Sequence, residues 1–554
     1  MVYNISTFNT FQIQRSPSAY YIDGKMSWCD NGFSRASCLG RSMFSMTEYE
    51  LLEILNGLRE GEQQEVPVDV SKASHEIPKD LWKVLSAFSN TPGGGVIILG
   101  LDPQRSYNIT GVRSAPDIKE AIMSLCSQMC PRLDPLIQIF RVEGKDVITV
   151  EAGEVLPHQK PCYYRGQGYF NGSYIRSGEG YRVLSPYEIQ SISECSSQPR
   201  YDSEALPGTT VKDMDASLLN YFLGRMRSRP GTPFSNWENE DILEASRVLV
   251  RDKHGKQVLS LAGWLAFAPY PQKMFPSLCV TFLRFPTPVA GEPGPQGERF
   301  LDNVKIEGPL PDMLVHTMKA VKRNMQRRDV INGLFREEHW EYPEDAIREG
   351  IVNALGHRDY SPQARVSQVQ ILMFPDRIEI ISPGGIYGPI IPDQLGEVGI
   401  QSSRNEAMMN ILENISPRGE NRTLCENRGS GLAAVMVSCR KEKLSPPNFR
   451  VDLSRFRMIL SNRTLFDSQT LEWLDNVSRG RTVTESQRYA LAHLKHVGWI
   501  NNADYCRLTG VDSRVATREL GDMVSSGLLD RLGSSRWSTY QLSTGYRNRQ
   551  QTLF

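Results

Sequence analysis

Glu349 and Asn353 are the pair of side chains in this 554-residue chain with the plainest chemical use. They stand in the run Arg348-Glu349-Gly350-Ile351-Val352-Asn353-Ala354-Leu355-Gly356-His357-Arg358-Asp359-Tyr360. Spaced i and i+4, they share one face of a helix. A carboxylate there can act as general base on a water, and an amide oxygen beside it can ligate a magnesium ion. Downstream, Gly429-Ser430-Gly431-Leu432 opens a predicted helix over 433–439. A Gly-rich turn at a helix N-terminus points backbone N–H groups at an anion. A second sharp turn, Ser382-Pro383-Gly384-Gly385, follows a predicted strand pair at 369–374 and 377–381. A Glu/Asn pair alone is ordinarily surface decoration; the glycine turns give this one its weight. The sequence holds no Gly-x-x-x-x-Gly-Lys-Ser/Thr phosphate loop, which excludes a motor core of that type.

A second constellation lies near the C-terminus. Thr484 and Gln487 have capping-box spacing ahead of the apolar face Tyr489, Ala490, Leu491 and Leu494. Gly498 ends that helix, Asn501 or Asn502 caps a short second one, and Gly510-Val511-Asp512 turns into a third over 513–525. The third helix is expected to bury Val515, Leu520 and Val524 and to stop at Gly527. Two short strands, 528–532 and 538–542, flank Gly533-Ser534-Ser535-Arg536-Trp537. Ser513, Arg514, Thr517 and Arg518 are then the exposed polar residues leading the third helix, with Arg536 able to reach a phosphate. Asp504, Asp512, Glu519 and Asp522 temper that basic face. Over 484–545 the pattern resembles the winged-helix domains of bacterial regulators, in which the third helix enters the major groove. The resemblance implies DNA binding; a winged helix used for protein contacts is the alternative.

The elements that must carry these residues can be read coarsely. Residues 1–45 are polar and irregular and read as a disordered tail. Helices are predicted at 47–58 and 78–90, then Thr91-Pro92-Gly93-Gly94-Gly95 breaks the chain ahead of an apolar strand at 96–101. A helix over 122–130 carries Cys126 and Cys130; strands follow at 137–142, 147–152 and 174–176, and a closing helix at 185–191 is capped by Ser185 with Glu188. A linker over 196–207 leads into a middle α/β segment, 208–330, with helices at 216–225, 240–245 and 310–323 and a strand at 280–285. An α/β module at 331–465 and another linker precede the last helical cluster.

The N-terminal module, 46–195, resembles the AlbA-like domain of the Schlafen family. The matching features are Glu62, Ala87-Phe88-Ser89-Asn90-Thr91, Gly93-Gly94-Gly95, Ile98-Leu99-Gly100-Leu101-Asp102, Gly111-Val112, Lys160-Pro161 and Tyr174-Ile175-Arg176-Ser177-Gly178. The resemblance implies a nucleic-acid-binding domain, with DNA or RNA as partner, and in some members a metal-dependent nuclease with three carboxylates. Glu62 matches the first and Asp102 the third; the second place is Pro67, which cannot ligate a metal. Glu65 or Asp69 could stand in, but each is two residues away, about 6–7 Å along a strand. A degenerate nuclease site is expected. Arg165, Arg176 and Arg182 are candidate phosphate contacts there.

Residues 331–465 resemble the GHKL-type ATPase fold, in the divergent branch found at the C-terminal end of RecG-like predicted regulators. The hallmarks are the Glu349-to-Asn353 helix, His357-Arg358-Asp359-Tyr360, Pro383-Gly384-Gly385, Ser403-Arg404-Asn405 and Gly429-Ser430-Gly431. The resemblance implies an ATP pocket with Asn353 on magnesium and Glu349 as general base. His357, Arg358, Asp359, Gly384, Gly385, Arg404, Asn405, Gly429, Ser430 and Gly431 are its implied contacts. Typical members place an Asp ahead of the glycines to read adenine; here Ser382 stands in that place. The polar, Gly-containing stretch 396–426 reads as a lid.

Bulk properties bound the partners. Lys plus Arg and Asp plus Glu are both 63, so nucleic acid must be held by local patches rather than by net charge. Ten scattered cysteines lack paired-knuckle spacing and read as ordinary thiols, fitting a cytoplasmic protein. No apolar run reaches the ~20 residues of a membrane helix, so no membrane partner is expected. The expected whole is a multidomain α/β and α+β protein: a Schlafen AlbA-like domain, a GHKL-like α/β sandwich and a winged helix-turn-helix. Its expected role is a nucleotide-responsive DNA-binding protein, a transcriptional regulator using ATP and Mg2+, with weak ATPase activity at most. Paired winged helices need a dimer, so a homo-oligomer is expected. The alternatives are a defence-type nuclease or ATPase acting on foreign DNA or RNA, and an assembly protein.

Overall fold

The computed structural model describes residues 46–543 except 61–66, 74–75, 157–158, 178–179, 195–199, 333–334, 389, 391–394, 397–401, 421, 426–430, 480 and 533–537. The expected tail and the predicted site residues Glu62, Gly429, Ser430 and Arg536 lie outside the described residues.

The N-terminal region is built on a four-stranded sheet. Its order is Val68–Ser71, Gly95–Leu99, Lys145–Ala152, Leu136–Val142, with the first pair parallel and the others antiparallel. Helices Leu81–Asn90 and Ala115–Ser127 pack one face through Leu85, Phe88, Ile118 and Ile122. Helix Glu48–Glu60 packs the other through Leu51 and Leu55. Burial on both faces is why Gly95–Leu99 reads as an unbroken apolar run. The expected helix over 122–130 ends instead at Ser127, and Cys130 lies on a short strand, Met129–Cys130. The strand Val68–Ser71 was not expected as a sheet member: it is short and follows Pro67. Asn90 explains the Asn-Thr motif. Its amide donates to the Cys162 and Tyr174 carbonyls at 2.8 and 2.9 Å and accepts from the Cys162 N–H at 2.7 Å.

The middle of the chain forms one six-stranded sheet: Asp302–Ile306, Val280–Arg284, Val369–Met373, Arg377–Pro383, Arg455–Ser461, Asn448–Asp452. Val280–Arg284 and Val369–Met373 run parallel, and every other neighbouring pair is antiparallel. Both parallel strands alternate buried and half-buried residues, the mark of a sheet covered by helices on one face. Leu310–Asn324, Glu344–Gly356, Glu406–Asn414 and Gly431–Lys441 contribute to a hydrophobic core reaching from Leu206 to Leu460. Strands from both sides of position 331 share this sheet, so 208–330 and 331–465 are built as one layer. The lid reading of 396–426 fails for its described residues. Helix Glu406–Asn414 lies there, with Met408, Ile411 and Leu412 at most 1% exposed, and the buried Asp202 carboxylate accepts from its Met408 N–H at 3.0 Å.

At the C-terminus stand helices Glu485–Val497, Asn502–Thr509 and Ser513–Ser525. A three-stranded sheet orders as Trp499–Asn501, Thr539–Leu542, Leu529–Leu532. The Thr484–Gln487 capping box forms, Asn501 caps the second helix, and Gly498 and Gly510 end helices with positive φ. The third helix buries Leu520 as expected, with Ala516 and Met523 in place of the neighbouring Val515 and Val524, which are only half-buried. The stretch before this cluster is not merely a linker. Helix Ser468–Val477, capped by Asp467, adds Leu474 and Val477 to the same core. Among the described residues no helix is long and apolar enough to cross a membrane.

Candidate functional site

Helix Glu344–Gly356 turns Ala346, Ile347, Ile351 and Leu355 into the core and carries Glu349 and Asn353 half-buried. The Asn353 amide donates to Glu349 Oε1 at 3.3 Å. That bond uses an amide N–H and does not use the amide oxygen. The pair faces the first residue of helix Gly431–Lys441. A Cβ on Gly431 would lie 3.4 Å from Asn353 Nδ2 and well inside contact distance of Glu349 Oε1, so the backbone approaches because no side chain intervenes. The structure therefore brings Glu349, Asn353 and Gly431 together, at the end of a helix whose N–H dipoles favour an anion.

The remaining motif residues mostly hold the frame. Arg358 is 2% exposed; Nη2 donates to the Ala364 and Ser367 carbonyls at 3.2 and 2.8 Å, and Nε to the Asp359 carbonyl at 3.4 Å. Asn405 donates to the Gly356 and Arg358 carbonyls at 2.9 and 2.8 Å, clamping the backbone on both sides of His357. Asp359 accepts from the Ser361 N–H at 2.8 Å and from the Tyr187 hydroxyl at 2.8 Å. These three were expected to touch nucleotide; their polar atoms are instead engaged within the protein. The same holds for the second turn. The N–H groups of Gly384 and Gly385 donate to the Ser454 and Leu453 carbonyls at 2.8 and 3.2 Å, so they form no anion cradle. Gly384, at φ +95°, leaves room for the Arg404 guanidinium and the Asp359 side chain. Ser382 donates to the Ala354 carbonyl at 2.8 Å, tying the strand to the helix end.

Three arginines, Arg404, Arg358 and Arg348, lie buried or half-buried among the motif residues. Arg404 is buried, with one Nη2 bond to the Gly385 carbonyl at 3.2 Å and Asp359 Oδ2 3.6 Å from Nη1. Its Nη1 has no hydrogen-bond partner among the described residues. Burial, with Arg404 adding its charge, pushes the His357 imidazole down to about 4, so it is neutral at neutral pH. Burial also lowers Arg358 and Arg348; Arg348 Nη2 donates to the Thr423 carbonyl at 2.7 Å.

Of the expected nuclease residues Glu62 lies outside the described residues, and the described carboxylates are engaged elsewhere. Asp102 accepts from Lys72 Nζ at 3.3 Å and from the Gln104 N–H at 3.1 Å. Asp69, the candidate replacement, accepts from the Tyr181 hydroxyl at 2.9 Å, and burial raises its carboxyl. Among the described residues no three His, Cys, Asp or Glu side chains stand close enough to hold a metal ion. Arg182 forms a two-pronged pair with Glu188, at 2.7 and 2.6 Å, and so anchors the closing helix.

On the C-terminal helix, Ser513, Arg514, Thr517 and Arg518 are exposed. Asn502 ties the first and third of these together: it accepts from Ser513 Oγ and donates to Thr517 Oγ1, both at 2.8 Å. Three of the four acidic residues expected to temper this face are engaged within the protein, while Asp522 is exposed. Glu519 accepts from the Tyr505 hydroxyl at 2.7 Å, Asp512 caps its helix, and Asp504 pairs with Arg507 at 2.6 Å. Sequence reasoning missed Asn502 as an organiser. It also missed Tyr187 and Gln190, which reach from the closing N-terminal helix to Asp359 and Gln363, both at 2.8 Å. Nothing local in the sequence signals a contact between residues more than 170 positions apart.

Comparison with known proteins adds the following. No curated protein matches the chain. The crystal structure of the DIP2311 protein from Corynebacterium diphtheriae aligns at 16% identity over 91% of this chain and 99% of that one, with a TM-score of 0.39. The solution structure of the N-terminal domain of a "Putative ATP-dependent DNA Helicase RecG-related Protein" from Nitrosomonas europaea aligns at 23% identity over 24% of this chain and 94% of that one, with a TM-score of 0.20. Residues 60–185 match the family model described as "Schlafen, AlbA_2", and residues 367–460 match that described as "Putative ATP-dependent DNA helicase recG C-terminal". The chain thus joins a Schlafen AlbA-type region to a RecG C-terminal ATPase-type region within a mixed α/β fold.

Proposed function

We propose that this chain is a nucleotide-responsive DNA-binding protein, a transcriptional regulator working as a homo-oligomer in the cytoplasm. The observation that carries the reading is the apposition of Glu349, Asn353 and the first residue of helix Gly431–Lys441. A Glu carboxylate, an amide oxygen and a helix N-terminus suit a magnesium-bound polyphosphate. Asn353 would hold the metal and Glu349 would orient a water; magnesium would supply charge neutralisation at the phosphates. The neutral His357 adds no charge beside the anion. The Ser382 hydroxyl hydrogen is committed to Ala354, so adenine discrimination falls to other groups.

DNA is assigned to the C-terminal cluster, read as a winged helix, with Arg514 and Arg518 as phosphate or base contacts and Ser513 and Thr517 held in register by Asn502. The Schlafen-type region supplies a second nucleic-acid contact. The nuclease alternative has less support, because Pro67 occupies one carboxylate place and Asp69 and Asp102 are engaged elsewhere. Free cysteines among the described residues fit a reducing compartment. The test is a titration of labelled duplex DNA with and without ATP and magnesium, from ~50 to ~200 mM salt. Salt-dependent binding whose affinity changes with ATP supports the reading. Binding indifferent to both overturns it, and manganese-dependent cleavage lost in Glu62→Ala favours the nuclease.

A further inference from the structure

Resting on that site reading, we propose that helix Gly431–Lys441 is the rigid link that carries nucleotide occupancy to the DNA-facing helices, with Arg440 as the positioning residue at its output end.

The helix has two ends with different business. Its first residue abuts Glu349 and Asn353. Eleven residues at 1.5 Å each place its last turn roughly 16 Å away. There Arg440 leaves the ATPase-type layer and meets helix Asn502–Thr509 at its C-terminus. Nε donates to the Leu508 carbonyl at 3.1 Å and Nη2 to the Arg507 carbonyl at 3.3 Å. These belong to the last turn, whose carbonyls lack helical partners, and a cation there also complements the helix dipole. Gly510, the residue ending that helix at φ +80°, packs directly on the guanidinium; any Cβ there would strike it. The link is made twice, because the Tyr489 hydroxyl of helix Glu485–Val497 donates to the Arg440 carbonyl at 3.3 Å.

Arg440 therefore grips one helix of the C-terminal cluster with its side chain and another with its backbone. Asn502 opens the gripped helix and holds Ser513 and Thr517 on the third helix. A shift of Gly431–Lys441 along or about its axis is passed through Arg440 to Asn502–Thr509 and on to the residues facing DNA. A half-buried guanidinium also resists replacement by a shorter cation: Lys offers no planar fork to span two carbonyls. Burial lowers its pKa, as expected for a cation held by dipoles rather than by a carboxylate. Coupling of this kind needs ATP to favour one position of the helix, and it is reciprocal: DNA must change ATP affinity by the same factor.

The test uses the full chain, labelled duplex DNA and ATP with magnesium, in wild type, Arg440→Met and Arg440→Lys. The quantity read is the ratio of DNA dissociation constants without and with ATP. Wild type is expected to show a ratio on the order of fivefold or more in one direction, mirrored by calorimetry of ATP with and without DNA. Arg440→Met brings the ratio to about one while ATP affinity in the absence of DNA stays within about twofold. Hydrogen exchange at the Gly510 amide, bonded to the Cys506 carbonyl at 2.7 Å, responds to ATP in wild type and not in the variant. Should Arg440→Met not melt cooperatively, Arg440→Lys decides, with a reduced ratio expected. A ratio unchanged in a folded variant overturns the link. So does a wild-type ratio of one when calorimetry shows ATP bound. No ATP heat in wild type overturns the site reading itself, and the link with it.

Discussion

Replacing Gly431 with alanine adds one methyl group at the point where the candidate site is tightest. That methyl would sit 3.4 Å from Asn353 Nδ2, an ordinary contact, but inside the contact distance of Glu349 Oε1. The cheapest relief is a rotation of the Glu349 side chain, since a half-buried carboxylate is freer to move than either helix backbone. The rotation costs about 0.5–1.5 kcal/mol in rotamer energy. It also breaks the 3.3 Å bond to Asn353, worth about 0.5–1.5 kcal/mol net. Alanine returns up to ~1 kcal/mol of helix propensity. Stability should therefore fall by no more than about 2 kcal/mol in urea denaturation. Binding should suffer more, because displacement of a group by about 1 Å can cost on the order of a hundredfold where geometry matters. Calorimetry with ATP and magnesium is expected to show affinity reduced at least tenfold, at a roughly native denaturation midpoint. An alanine variant that binds ATP like wild type would refute the apposition as a nucleotide site. One that loses the fold would refute the claim that Glu349 can yield.

Three further expectations follow from contacts already described. Asn405→Ala leaves the Gly356 and Arg358 carbonyls without their donor; at about 1–3 kcal/mol per stranded group, it should lower unfolding stability by about 2–4 kcal/mol, and a neutral result would show that the clamp does not matter. His357 stays neutral in the fold down to about 4, whereas the unfolded imidazole gains a proton near 6.5, so its contribution is intact above pH 6.5 and is lost as pH falls toward 4. Between pH 7 and pH 5, urea denaturation should show a loss up to about 2 kcal/mol larger in wild type than in His357→Gln; equal losses would contradict a neutral, desolvated ring. Arg514→Ala with Arg518→Ala should make the slope of log affinity for DNA against log salt shallower by about 1.8, and an unchanged slope would remove both from the DNA contact.

What the sequence revealed tracks how local each determinant is. Helix caps were legible because they are chemistry between residues three apart: Thr484 with Gln487 and Ser185 with Glu188. Short strands were not. Asp302–Ile306 and Trp499–Asn501 have mixed polarity over five and three residues, and their partners lie elsewhere in the chain. The Glu349 and Asn353 pair was visible because i and i+4 residues meet on any helix. The Pro-Gly-Gly turn misled because a glycine needed for close packing and one that frees an N–H for an anion look identical until the partners Ser454 and Leu453 are known. Arg358, Asp359 and Asn405 misled in the same way: polar residues in a motif suggest a ligand, yet burial engages them with backbone carbonyls, a neighbouring N–H and a tyrosine from another region. Glu519 was counted as surface charge because the sequence could not place Tyr505 against it.

The central claim is that Asn353, beside Glu349 and Gly431, binds a magnesium nucleotide. Calorimetric titration of ATP with magnesium into wild type and Asn353→Ala tests it most directly, with circular dichroism to confirm that the C-terminal helices remain folded. Saturable heat is expected in wild type with magnesium, and none in the variant or in wild type without magnesium. Equal ATP affinity in the two proteins would contradict it.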